Sequence, residues 1–87
     1  MAKVDCIDIP GLVCWFWSND HNPPHFHAKR EGEWEVKVHF LADEGDMFEL
    51  KGGQAPKRKV LRQIAGAVIA NRAALLAEWQ AKVHHDN

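Results

Sequence analysis

Residues 33–40 read Glu-Trp-Glu-Val-Lys-Val-His-Phe, the cleanest alternation of charged and apolar residues in the chain. A period of two over eight residues fits a strand with one face buried. Trp34, Val36, Val38 and Phe40 then face a core, and Glu33, Glu35, Lys37 and His39 face solvent. One buried sheet face needs a second layer to cover it, and the last third of the chain supplies one. Leu61, Ile64, Val68, Leu75, Trp79 and Val83 recur at three- and four-residue steps, the stripe of an amphipathic helix.

The other strands follow from shorter signals. Residues 3–9 alternate, and Pro10-Gly11 marks a turn. Residues 12–17 form an apolar run too short for a helix, read as a central strand covered on both faces. Trp15 and Trp17 share one side of it and are expected to pack under the helices rather than to stack a ligand. Residues 25–30 give a strand with His25, His27 and Lys29 on one face and Phe26, Ala28 and Arg30 on the other. Residues 31–33 turn the chain, 42–46 make an acidic solvated turn, and 47–50 a short last strand. Residues 51–55, with Gly52-Gly53, read as linker, and Pro56 opens the helical part. A single helix over 57–84 would be about 42 Å long, against a diameter of roughly 30 Å for so small a domain. Two helices, 57–69 and 72–83, are therefore expected, with Gly66 a weak point and Asn71 an N-cap; one long bent helix is the alternative. The fold class is α+β: an antiparallel meander of four to five strands packed on one face by two C-terminal helices. It forms a single domain over 1–87, with strands in 3–50 and helix in 56–84.

Between the aromatic run and the third strand lies Asp20-His21-Asn22-Pro23-Pro24-His25-Phe26-His27, which holds three of the chain's six histidines. Each proline restricts the residue before it, so the loop is stiff and can hold side chains in place. Asp20, His21, Asn22, His25 and His27 are the candidate functional surface. His21, His25 and His27 are candidate ligands for zinc or another transition metal, with Asp20 or a water as fourth ligand and His39 able to join from the next strand. The same imidazoles suit acid–base chemistry near neutral pH. A structural turn, in which Asp20 and the rings satisfy backbone groups, is the plain alternative. His25, His27 and Glu31 also repeat the H-x-H-x3-E run of cupin metal sites, but without its glycines or second half, and count as coincidence.

Charge narrows the partners. With 11 basic and 12 acidic residues, the net charge of −1 gives no overall nucleic-acid footprint. Lys57, Arg58, Lys59 and Arg62 form a local basic cluster, a candidate contact for a protein partner or nucleic acid and otherwise a solvated face. His84-His85 is expected to be frayed and exposed. Cys6 and Cys14 are too far apart for a zinc pair and read as free thiols. No apolar run is long enough to span a membrane and no signal peptide is evident, so a cytoplasmic location is expected. No phosphate loop, serine elbow or Cys–His pair appears, so nothing assigns an enzymatic activity.

Gly11-Leu12-Val13, the D-H-x-P-P-H-F-H run from Asp20 to His27, Pro56-Lys57-Arg58 and the Arg72–Trp79 segment together resemble domain-of-unknown-function family 4160 over almost the whole chain. The resemblance implies a small bacterial protein, often encoded beside a second short protein of family 2442 in what looks like a toxin–antitoxin-like module. It implies no established activity, cofactor or catalytic residue. An interaction or regulatory protein using the histidine turn is the expected function. A metal-dependent or histidine-based hydrolase or nuclease with His21, His25 and His27 is the first alternative, and a DNA-binding transcriptional regulator the second.

Overall fold

The computed structural model describes residues 1–83. Five strands, β1 (Ala2–Lys3), β2 (Val13–Phe16), β3 (Phe26–Arg30), β4 (Trp34–Val38) and β5 (Phe48–Gly53), form one antiparallel sheet in sequence order. Two helices follow, α1 (Arg58–Ala70) and α2 (Arg72–Lys82). This is the expected α+β meander with helices on one face. Residue 84, the expected end of the helical part, and the His84-His85 pair lie outside the described residues.

Directly paired residues in an antiparallel sheet put their side chains on the same face. The pairs Cys14↔Ala28, Phe26↔Val38 and Ala28↔Val36 thus set one face, which packs with Phe16, Ile64, Ala65, Val68, Leu75, Trp79 and Val83 into the core. The pairs Trp15↔His27 and His27↔Lys37 set the opposite face. Trp15 and Trp17 therefore do not lie under the helices as expected; Phe16 does, with its ring 6.2 Å from that of Trp79. Trp15 is buried on the far face, and Trp17 is 43% exposed there. An unbroken apolar run has no alternation to say which parity faces the helices, and the register with β3 decides it.

The first strand is shorter than expected. After Lys3 one more ladder bond forms, from Val4 N–H to Cys14 O. The Asp5 and Cys6 N–H groups then donate to the Glu78 carboxylate on α2, at 2.7 and 2.9 Å. Their donors are spent on the helix, so the sheet ends, while Ile7 and Ile9 still reach the core. At the other edge β5 is longer than expected. Gly52 and Gly53 pair with Glu35 and Trp34 instead of serving as linker. Gly53 has φ +77°, and a Cβ there would run into the Glu33 carbonyl oxygen, so the strand can close this tightly only with glycine.

The helices meet at 81° around Asn71, and Gly66 stays inside α1. Asn71 does not cap α2 through its side chain; its Nδ2 donates back to Ala67 O at 2.8 Å and closes α1. Arg72 fixes the bend to the loop that follows β4, donating to Phe40 O at 3.0 Å and Ala42 O at 2.8 Å. No single described helix is long and apolar enough to cross a membrane. Both cysteines are free, with Cys14 buried and Cys6 partly so.

Candidate functional site

The site is built from the segment between β2 and β3 and from the sheet face opposite the helices. Trp17 N–H donates to Asp20 Oδ2 at 3.0 Å, and Asp20 N–H returns to Trp17 O at 3.2 Å. This reciprocal pair closes a tight turn and aims the carboxylate inward over β3, leaving its side chain 11% exposed. Short polar side chains that bond nearby backbone favour such turns. The Asn22–Pro23 peptide beyond it is cis.

His25 and His27 lie under that carboxylate and are both buried, at 4% and 7% exposure. His25 Nδ1 lies 2.9 Å from Pro23 O, and a carbonyl can only accept, so this nitrogen carries the hydrogen. Its Nε2 lies 3.4 Å from Asp20 Oδ1. His27 Nε2 lies 3.1 Å from Oδ2 and 3.3 Å from Oδ1. Burial lowers the His25 pKa, against the opposing pull of the Pro23 carbonyl and Asp20, so the neutral ring is favoured. His27 Nδ1 is buried and, like Trp15 Nε1, has no hydrogen-bond partner among the described residues.

Aromatic packing covers the pair. Trp15 stacks on His27 at 5.4 Å between ring centroids, with Lys29 Nζ 5.5 Å over the indole. Trp17 meets His27 edge-on, and His25 packs against both His27 and Trp79. His27 and Lys29 share a face as expected, while His25, expected in the same strand, lies just before β3 and also packs on Trp79 of α2; this face is not simply solvated. The missed signal lies across the strand, where two tryptophans of matching parity cover His27.

Of the expected site residues, the fold brings together Asp20, His25 and His27. They form a group whose ligand atoms lie within 4.8 Å of one another. His21 is exposed and outside that group, as is Asn22, although both line a shallow cleft of about 310 Å³ with Asp20, His25, Lys37 and His39. The three-histidine ligand set is therefore not assembled; Asp20 takes the place expected of His21. His39 comes close, its ring centroid 5.9 Å from that of His25, but its Nε2 faces Glu49 at 3.3 Å. Glu31 points away and pairs with Lys29 at 3.1 Å, so the cupin-like run builds no site. Lys57, Arg58, Lys59 and Arg62 are all exposed at the start of α1. A larger, open cavity of about 740 Å³ lies at the far end of the sheet, between the β3–β4 turn and the segment leading to α1. Its walls include Arg30, Glu33 and Lys57 but hold no converging ligand group.

Comparison with known families matches residues 11–80 to the family described as Domain of unknown function (DUF4160). Searches of curated proteins and of solved structures find no match. The chain belongs to the DUF4160 family.

Proposed function

We propose that this DUF4160 protein is a small cytoplasmic interaction or regulatory protein, one half of a two-gene, toxin–antitoxin-like module. Its working surface is the sheet face opposite the helices, at the histidine turn. The observation that carries this reading is Trp17, an indole 43% exposed beside a buried Trp15–His27 stack that holds it in place. A rigid, half-exposed tryptophan ringed by polar groups is the kind of anchor that dominates binding energy at protein interfaces. Lys29, Lys37 and His39 share its sheet face and are partly exposed around it. The expected partner is the family-2442-like protein encoded next door. Co-expression and co-purification of the two test it. A stable complex that Trp17→Ala weakens at least about tenfold supports the reading. No complex, or a complex indifferent to that substitution, overturns it.

A second reading is favoured by one observation, the convergence of two imidazoles on one carboxylate next to a cleft. It makes the protein a hydrolase of the nuclease kind, with His25 and His27 as acid–base groups. Turnover of a phosphodiester substrate by tag-free protein, lost in His25→Gln, supports it; no turnover with or without added zinc removes it. The DNA-binding reading rests on the Lys57–Arg62 cluster alone and requires binding that weakens steeply with salt.

A further inference from the structure

Both oxygens of Asp20 meet the histidines. Oδ2 accepts the Trp17 N–H, which ties the carboxylate to the chain, and lies 3.1 Å from His27 Nε2. Oδ1 lies between the two rings, 3.4 Å from His25 Nε2 and 3.3 Å from His27 Nε2. Zinc held at bonds of about 2.0–2.1 Å in a tetrahedron separates neighbouring ligand atoms by about 3.3–3.4 Å. Both Oδ1 distances fall on that edge length.

The tautomer of His25 sharpens the point. Its hydrogen sits on Nδ1, held by the Pro23 carbonyl, so in the neutral ring Nε2 presents a lone pair to a carboxylate oxygen. Two electron-rich atoms facing each other in a buried place repel unless a cation lies between them. A backbone carbonyl on the far ring nitrogen is also how metal-binding histidines are commonly oriented. We propose that Asp20, His25 and His27 form a site for a first-row divalent cation, zinc foremost, with one coordination position open.

Two imidazoles and one carboxylate suit zinc or its transition-metal neighbours better than magnesium or calcium, which prefer all-oxygen shells. The open position faces the shallow cleft, because Asp20 and His25 both line it. There a water, or a side chain of a bound partner, completes the shell. His39 stays outside, engaged by Glu49. The second imidazole is less well prepared than the first. Ligation through His27 Nε2 puts its hydrogen on Nδ1, which has no acceptor among the described residues. Loss of such an outer partner typically costs about 10–100-fold in affinity, so the site exchanges its ion rather than holding it permanently.

The test uses the full chain without a His-tag, stripped with EDTA and titrated with zinc chloride by calorimetry, with magnesium chloride in parallel. One zinc per chain is expected, with no response to magnesium. Asp20→Asn and His25→Gln should each weaken zinc at least about tenfold, while His39→Ala and the double variant His84→Ala/His85→Ala leave it in place. A wild-type protein that does not bind zinc overturns the proposal, as does binding that survives both site substitutions or disappears with the terminal pair. Because Asp20→Asn can loosen the turn, a second readout needs no substitution. Zinc should shift the ring nitrogens of His25 and His27 together in the wild-type NMR spectrum, and shifts confined to other histidines overturn the site.

Discussion

Replacing Glu78 tests how the N-terminal segment is held to the helices. Its carboxylate accepts the Asp5 and Cys6 N–H groups and pairs with Lys82 Nζ at 2.6 Å. Burial alone would raise the Glu78 pKa, but the Asp5 N–H, the Cys6 thiol and N–H, and Lys82 together hold it down to about 2. From an ordinary value of 4.5, that depression is an upper bound of about 3 kcal/mol at 1.36 kcal/mol per unit, discounted to about 2 for partial solvent screening. Hydrogen bonds to a charged group, at about 1.5–3 kcal/mol each and with the Asp5 bond exposed, give a similar figure. Glu78→Gln should therefore cost about 2 kcal/mol at pH 7. In urea, with a slope near 1–2 kcal/mol/M for so short a chain, tryptophan fluorescence should report a midpoint lowered by about 1–2 M. The sign with pH is fixed. A carboxyl depressed in the fold stabilises fully above its unfolded pKa and loses that contribution as pH falls from about 4.5 towards about 2. The variant should lack this part of the acid profile and converge on the wild type near pH 2. A midpoint within about 0.3 M of wild type at pH 7, or an unchanged gap at low pH, would refute the reasoning.

Gly53→Ala should destabilise by more than about 1 kcal/mol, since it strains a positive φ and meets Glu33 O, whereas Gly66→Ala, in open space on a helix, should stabilise by about 0.5–1 kcal/mol; paired thermal melts check the opposite signs. Arg72→Met removes both bonds to the carbonyls of Phe40 and Ala42 and should cost about 1–3 kcal/mol in the same assay, and no loss would mean that the 81° bend does not depend on them. Burial pushes the Cys14 thiol up to about 11, and burial with Glu78 beside it pushes Cys6 up to about 12. Both should react slowly with a thiol reagent at pH 8 in the folded protein and quickly in urea.

Much of the fold was legible because period and parity are local properties. The alternation over 33–40 set β4, the helical stripe set both helices, and the length argument required the bend. What failed needed long-range knowledge. Residues 5–9 keep their alternation and their buried isoleucines, yet form no strand, because a carboxylate more than seventy residues away takes the Asp5 and Cys6 donors. Asn71 looked like a cap for the helix after it and instead closes the helix before it. At the site, the motif marks the stretch in which Asp20, His25 and His27 converge, but its spacing does not say which members come together. His21 and His25 look equivalent in sequence. The Asp20–Trp17 turn leaves His21 outside and delivers Asp20 to the two histidines of β3's entry, a choice made by backbone bonds that no spacing reveals.

The central claim is that Asp20, His25 and His27 form a preorganised, buried cluster, and its most direct test is the tautomer of each ring. A long-range proton–nitrogen NMR spectrum of EDTA-stripped protein at pH 7 reads which nitrogen carries the hydrogen. His25 is expected neutral with its hydrogen on Nδ1, held by Pro23, and His27 with its hydrogen on Nε2, directed at Asp20. A His25 ring with its hydrogen on Nε2, or averaged signals for His25 and His27 alike, would contradict the cluster.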